Sequence, residues 1–471
     1  MKNQNIGYHS IYLGLLLTTC LGAACTKEIQ IPPSPPNLIT QQEVFSDSTT
    51  AMMALAGVYT YSAFGGAGFA YSDGYLAQCT GLSSDELIST STINSDLPQF
   101  YGYGVTPENT LDESLWSTPY NGLYTVNAVI GNINGSPALS ASFKQQVTGE
   151  MEVVRALYYF NLVNLFGGVP VVTSTNYLVN ASLPRATVDS VYGQIVSDLM
   201  DAGKKLTPAY PSSGHARPNL YTASALLAKV YLYRQQWQQA YDQASMVINS
   251  NLYSLEPDPD SVFLDGSKEA IWQLPATGFN GYVTEASVFL PYIAPPLPAY
   301  ILTGPLLSAF EPGDRRFQDW AGRVVINNGS GNDTVYYPYK YKDNFPNGSP
   351  AEDYMVLRLA DLYLVRAEAS ANLGNGTAAL ADLNVVRNRA GIPPSTVNPS
   401  DETAMLSAIM HERQVELFTE WGNRWYDLKR TGMAATVLGA EKQGWQADAA
   451  LYPIPRMEIV ADAQLTQNPG Y

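Results

Sequence analysis

The sequence predicts a mainly α-helical protein, a scaffold of paired helices with long irregular loops set into it. Three observations carry this expectation. Apolar residues recur at helical spacing over several long segments. Two stretches, Thr222 to Ile248 and Leu362 to Arg387, each read as two helices joined by a tight turn and lined with small residues. Residues 251–350, rich in Gly, Pro, Asn and aromatics, show few helical periods and are too long for one structureless loop.

The elements follow in order. Ile11 to Leu17 is an apolar run too short to span a bilayer, which needs about 20 residues. It fits a secretory signal. The signal region is set at residues 1–24, because LGAAC places Ala23 and Ala24 just before Cys25, as in a lipobox whose cysteine receives lipid. Gly22 stands where a larger aliphatic residue is usual, so ordinary signal cleavage and Cys20 remain alternatives. Residues 25–40 contain Pro32, Pro33, Pro35 and Pro36 and read as an extended spacer. A helix is expected over residues 49–64, ended by Gly65-Gly66. Further helices are expected over Trp116 to Ile133, Phe143 to Phe166 and Pro184 to Leu206. In the first helix pair Ala225, Ala228 and Leu232 face Ala240, Tyr241, Ala244 and Val247. In the second, Ala367 and Ala371 face Ala379, Leu380, Leu383 and Val386 across Gly374-Asn375-Gly376. This spacing resembles tetratricopeptide-type packing. The body divides into a helical region, 41–250, and a region, 251–471, that combines the irregular loops with the second helix pair.

Composition excludes several classes. Asp, Glu, Lys and Arg make up 14% of 471 residues, against about 25% in an average globular protein. With 46% apolar residues the chain is not disordered. A net charge of −16 and only 26 basic residues argue against nucleic-acid binding. Low charge with 32 Tyr fits a surface made for neutral polar ligands, and equally an ordinary extracytoplasmic surface.

Familiar catalytic signatures are missing. The three histidines are His9, His215 and His411; Val415 stands where a zincin helix would place its second histidine. No G-x-S-x-G elbow or P-loop occurs. Apart from Cys20 and Cys25 only Cys79 remains, expected to be a small buried residue. Asp85-Glu86 reads as a cap or structural hydrogen-bonding pair rather than a glycosidase dyad. Glu412, Glu416 and Glu420 stand four residues apart and require neutralising cations, for which Arg413, Arg424, Lys429 and Arg430 are at hand. Trp421 and Trp425 are expected to fill the core or a groove. No cofactor is expected, although Glu256 to Asp260 offers carboxylates to a structural calcium.

Several segments, in order, carry a resemblance: VFSDSTTAMMALAGVY, WSTPYNGLYTVNAVIGNI, VVRALYYFNLVNLFGGVPVV, LPRATVDSVYGQIVSDLMDA, YMVLRLADLYLVRAEASANLGN, HERQVELFTEWGNRWYDLKRTG and LYPIPRMEI with QNPGY. Together with the lipobox-like cysteine they resemble the SusD/RagB family of outer-membrane nutrient-binding lipoproteins, nearly end to end. The resemblance implies a tetratricopeptide-like scaffold, irregular loops carrying the ligand, and a lipid anchor on Cys25 at the outer face of the outer membrane. It implies a SusC-like TonB-dependent transporter as partner, capture of a glycan, and no bond cleavage.

The chemistry of sugars selects residues. A sugar's C–H face stacks on a ring while its hydroxyls need partners, and Tyr supplies both. Rings in loops are therefore preferred: Tyr71, Tyr75, Tyr101 and Tyr103 with Asp73 and Asn94, then Phe279, Asn280, Tyr282 and Tyr292, with Trp320 less favoured. Tyr158, Tyr231 and Trp425 are assigned to helix cores. A peptide or other oligomer as ligand, a glycoside hydrolase, and a purely structural surface protein remain alternatives.

Overall fold

Helices account for most of the described chain. The computed structural model describes residues 40–59, 69–90, 95–276, 281–291, 297–327, 331–344 and 352–471. Helices α1 (Ser48–Tyr59) and α2 (Tyr75–Ser83) precede two long ones, α3 (Thr110–Gly135) and α4 (Ala141–Phe166). Helix α3 starts six residues before the expected Trp116, because Asn109 caps it by accepting from Leu111 N and Asp112 N. Helix α5 (Val188–Lys205) begins after the expected Pro184, at the Thr187 cap. Gly65-Gly66, the expected end of α1, lies outside the described residues, as do the signal region, Cys25 and the proline-rich spacer.

The two helix pairs form as read. The first is α6 (Leu220–Tyr233), opened by an Asn219–Thr222 capping box, and α7 (Trp237–Ile248). The second is α8 (Leu359–Asn372) and α9 (Gly376–Arg389). The residues named for the two seams are buried, except Tyr241 and Leu380, which are half-buried at the edges of their helices. Gly374 turns the chain with φ of 76°. Gly376 cannot be replaced for another reason: a Cβ there would lie 1.8 Å from the Pro399 carbonyl oxygen. Helix α10 (Glu402–Leu417) closes the second pair, and Leu364, Ala367, Leu383, Met405 and Ile409 form a small core of their own.

Helices α3 to α10 stack in sequence, each against its neighbours, in a tetratricopeptide-like array. Helix α7 packs directly on α8, so the chain between them leaves the scaffold and returns. That excursion carries the irregular region. Strand β1 (Leu87–Ser89) pairs antiparallel with β3 (Tyr300–Leu302), β2 (Ala270–Pro275) with β6 (Asp353–Arg358), and β4 (Ala321–Asn327) with β5 (Asn332–Pro338). One apolar core runs from Ala51 to Leu465 through both sides of residue 250, so that boundary separates chain styles and not two cores. Cys79 is buried within it. No helix among the described residues is long and apolar enough to cross a membrane.

A buried ionic cluster fixes the irregular region to the scaffold. Glu416 accepts from Arg316 at 2.9 Å and Arg358 at 2.5 Å, and also from Arg389. Glu412 pairs with Arg316 and Arg387, Glu420 with Lys340 and Arg358, and Glu269 with Arg358 and Arg389. The stripe is neutralised as expected, but by other cations. Arg413 instead holds Asp361 and Asp427, Arg424 holds Asp85, and Arg430 holds Glu368 and Asp427. Lys429 donates to the carbonyls of Asn164 and Ala450. The reason is helical geometry: a residue one position on points about 100° round the helix from its predecessor. Arg413 therefore faces α8 and α11 (Asn423–Arg430) while Glu412 and Glu416 face the irregular region.

Candidate functional site

The first loop set is built around a proline. Pro119 lies inside α3 and has no N–H for the carbonyl of Leu115, four residues back. Tyr71 fills the gap: its hydroxyl donates to Leu115 O at 3.1 Å. Its ring is 2% exposed and its backbone adopts φ of 71°. Tyr71 therefore plugs the core and offers no face to a ligand. Asp73 Oδ1 accepts the Tyr75 N–H at 3.1 Å, across Gly74, the residue that precedes α2. Burial raises the Asp73 carboxyl above its ordinary value, with its backbone bonds opposing. The half-buried Tyr75 is the first residue of α2, its phenol raised by burial and by Asp73.

This loop rests on the second set. Gly74, with φ of 84°, sits so close to the short helix Thr284–Phe289 that a Cβ would lie 3.1 Å from Val288 Cγ2. The Tyr354 hydroxyl bridges the Tyr71 carbonyl (3.3 Å) and Glu285 Oε1 (3.1 Å), and Tyr300 donates to Gln78 Oε1 at 2.7 Å. Half-buried Tyr282 precedes that short helix. Residues 71–74 and the Thr284–Phe289 helix, some 200 residues apart in the chain, thus meet. Burial pushes the Glu285 carboxyl up to about 8, so at neutral pH it is an uncharged acid beneath this face.

Tyr101 and Tyr103 form a second patch at the other end of α2, about 13 Å away at 1.5 Å per residue. Lys442 supports it. Its ammonium lies 4.3 Å from the Tyr101 ring centre and 5.5 Å from that of Tyr103, and donates to the carbonyls of Leu82 and Ser84. Burial lowers its pKa to about 8, with Asp85 the largest opposing influence. Tyr103, at φ of 59°, donates to Ser83 O at 3.1 Å and meets Trp445 edge-on at 5.0 Å. A pocket of about 350 Å³ opens beside it, lined by Tyr103, Thr106, Gln446, Asp448 and Tyr471.

Trp320 is a correction. It is fully buried, donates to Pro259 O at 2.9 Å, and lies under Lys340 (4.7 Å) and Arg389 (5.4 Å) as a wall of the ionic cluster. Asn94, Phe279, Asn280 and Tyr292 lie outside the described residues. Lys442 and Trp445 were not singled out from the sequence; a Trp in the Gly-containing segment EKQGWQADAA was the available signal.

Asp85 and Glu86 are structural. Asp85 pairs with Arg424, while buried Glu86 accepts the Thr419 N–H at 3.2 Å and is raised to about 8, chiefly by burial and then by Asp85. Tyr158 and Trp425 are core residues, and Tyr231 is packed against the core. Among the described residues no three His, Cys, Asp or Glu side chains gather around a common point suited to a metal ion. In the segment considered for calcium, Asp258 pairs with Arg315, Asp260 with Lys342, and Glu256 accepts the Lys268 N–H.

Comparison with known proteins gives consistent matches. The SusD family model matches residues 310–471, and a second, described as "Starch-binding associating with outer membrane", matches residues 71–232. SusD-like protein P38 of Formosa agariphila is 24% identical, over 98% of this chain and 99% of its own length. A SusD superfamily protein from Bacteroides vulgatus superposes with a TM-score of 0.77 at 21% identity, covering 91% of this chain and 100% of that one. A laminarin-binding SusD-like protein superposes with a TM-score of 0.74 at 28% identity, covering 90% and 100%. The helix-pair scaffold, the ordered motifs along the chain and these matches at both ends have one explanation: the chain belongs to the SusD/RagB family.

Proposed function

We propose that this protein binds an oligo- or polysaccharide on the outer face of the outer membrane and passes it to a SusC-like TonB-dependent transporter. In this reading lipid on Cys25 holds it there, and it breaks no bond and needs no cofactor. The observation that carries the reading is the convergence of the Asp73–Tyr75 loop with the Tyr282–Phe289 segment into one polar, charge-poor face. Half-exposed phenols there provide a stacking surface and hydroxyls, and the Glu285 acid beneath them is uncharged, which suits a neutral ligand. The laminarin-binding relative and the starch-binding family description support a glycan as ligand.

The test is affinity electrophoresis and calorimetry against a panel of neutral glycans headed by laminarin. Tyr75→Ala and Tyr282→Ala are each expected to weaken the retained glycan at least about tenfold, or about 1.4 kcal/mol. Retention of no glycan, or release of new reducing ends by the wild type, refutes the reading. Co-purification of a large β-barrel from solubilised membranes tests the transporter partnership.

A further inference from the structure

A large groove of the scaffold lies away from the loop face. It encloses about 620 Å³ between the α6–α7 turn, the end of α8, one side of α10 and the helix Ala434–Glu441. Its volume falls in the range of small-molecule sites. Met410 and Leu428 form an apolar floor beside the partly exposed Trp237 ring.

The polar lining divides into used and unused groups. Glu368 is held by both Nη atoms of Arg430, and Arg424 by Asp85, so the charges at the rim are already paired. Among the described residues, Trp237 Nε1, Ser407 Oγ, Asn372 Oδ1 and the His411 ring take part in no hydrogen bond. These are donors and acceptors for hydroxyls set around an apolar, ring-bearing floor. A charged ligand gains no free counter-ion here, whereas a neutral ligand with an apolar face and a hydroxyl rim fits both parts.

Position adds a second argument. Val437 of the helix Ala434–Glu441 lines the groove, and Lys442, the residue that follows that helix, supports Tyr101 and Tyr103. The helix is about 12 Å long. Groove and tyrosine patch therefore adjoin one short element, and the Tyr75 face begins about 13 Å beyond the patch, at the other end of α2. We propose that this groove is a second saccharide-binding site, engaging another part of the polymer held at the loops. The proposal rests on the saccharide-binding reading of the loop face. Two linked sites raise the affinity for polymer far above that for a short chain.

The test uses the full chain and neutral hexasaccharides of laminarin, starch, xylan and mannan, with the parent polymers. Ser407→Trp fills the groove from an exposed helix position and Trp237→Ala removes its ring. Calorimetry is expected to give two hexasaccharides per wild-type chain and one in either variant. Polymer affinity is expected to fall at least tenfold in both, with thermal unfolding of Ser407→Trp unchanged. One hexasaccharide per wild-type chain, lost on Tyr75→Ala and untouched by Ser407→Trp, overturns the groove site and leaves the loop site standing. Binding that survives Tyr75→Ala with Tyr282→Ala but is lost on Ser407→Trp keeps the groove and removes the loop site. No binding of any of the sugars overturns both.

Discussion

Replacing Tyr71 by Phe removes one hydroxyl and keeps the ring. Because Pro119 supplies no N–H, that hydroxyl is the partner at 3.1 Å of a Leu115 carbonyl in a region where both side chains are 2% exposed. A buried carbonyl left without a donor costs about 1–3 kcal/mol. At about 2.1 cal/mol/K of unfolding entropy per residue, a chain of 471 residues unfolds with about 1 kcal/mol/K, so the melting temperature should fall by about 1–3 °C. The same substitution in a Pro119→Ala background should cost less than about 0.5 kcal/mol, since the restored N–H reaches Leu115 O. The assay is urea unfolding of all four proteins, followed by tryptophan fluorescence and far-UV circular dichroism. Equal costs of Tyr71→Phe in both backgrounds, within about 0.3 kcal/mol, would refute the assignment of Tyr71 as the substitute donor.

Glu416→Ala should destabilise the protein by about 3–5 kcal/mol, because it leaves the guanidiniums of Arg316, Arg358 and Arg389 sharing too few carboxylates; an effect below about 1 kcal/mol in denaturant unfolding would contradict the clamp. Burial pushes the Glu416 carboxyl up, but those three guanidiniums outweigh it and hold it far below the ordinary range. Its stabilisation is therefore present above about pH 4.5 and lost as pH falls further, which an acid titration of wild type against Glu416→Gln should resolve. Glu285 has the opposite sign. Its folded value of about 8 lies above the ordinary 4.5, so its contribution is complete below pH 4.5 and is lost as pH rises toward 8. Glu285→Gln should accordingly match wild type in melting temperature at pH 4.5 and exceed it at pH 8. Gly376→Ala should lower stability by more than the usual Gly-to-Ala change could return, because the Pro399 carbonyl occupies the Cβ position.

Much of the fold was legible because it is local. Helical spacing, the small-residue seams at Ala225/Ala244 and Ala367/Ala379, and the Gly374-Asn375-Gly376 turn are consequences of near neighbours in the chain, and each reappears in the structure. Helix starts were less legible, since Asn109 and Thr187 act as caps through side-chain bonds to backbone N–H groups. The site was half legible. The loop that holds Tyr75 meets the helix that follows Tyr282, and both rings are half-buried, but Tyr71 and Trp320, chosen by the same loop-aromatic criterion, are buried. What separates them is a helix proline beside one and an ionic cluster beside the other, neither of which the local sequence reveals.

The sequence by itself determined the helix-pair scaffold, the irregular excursion between the pairs, and the need to neutralise the Glu412, Glu416 and Glu420 stripe. Only the tertiary structure decided which cations do so, which rings face outward, and that residues 71–75 meet the 284–289 helix. The physical reason is range. Periodicity and capping are set within a few residues, whereas the partner of a buried charge or of an orphaned carbonyl is whichever group folding brings within about 3 Å, however distant in the chain.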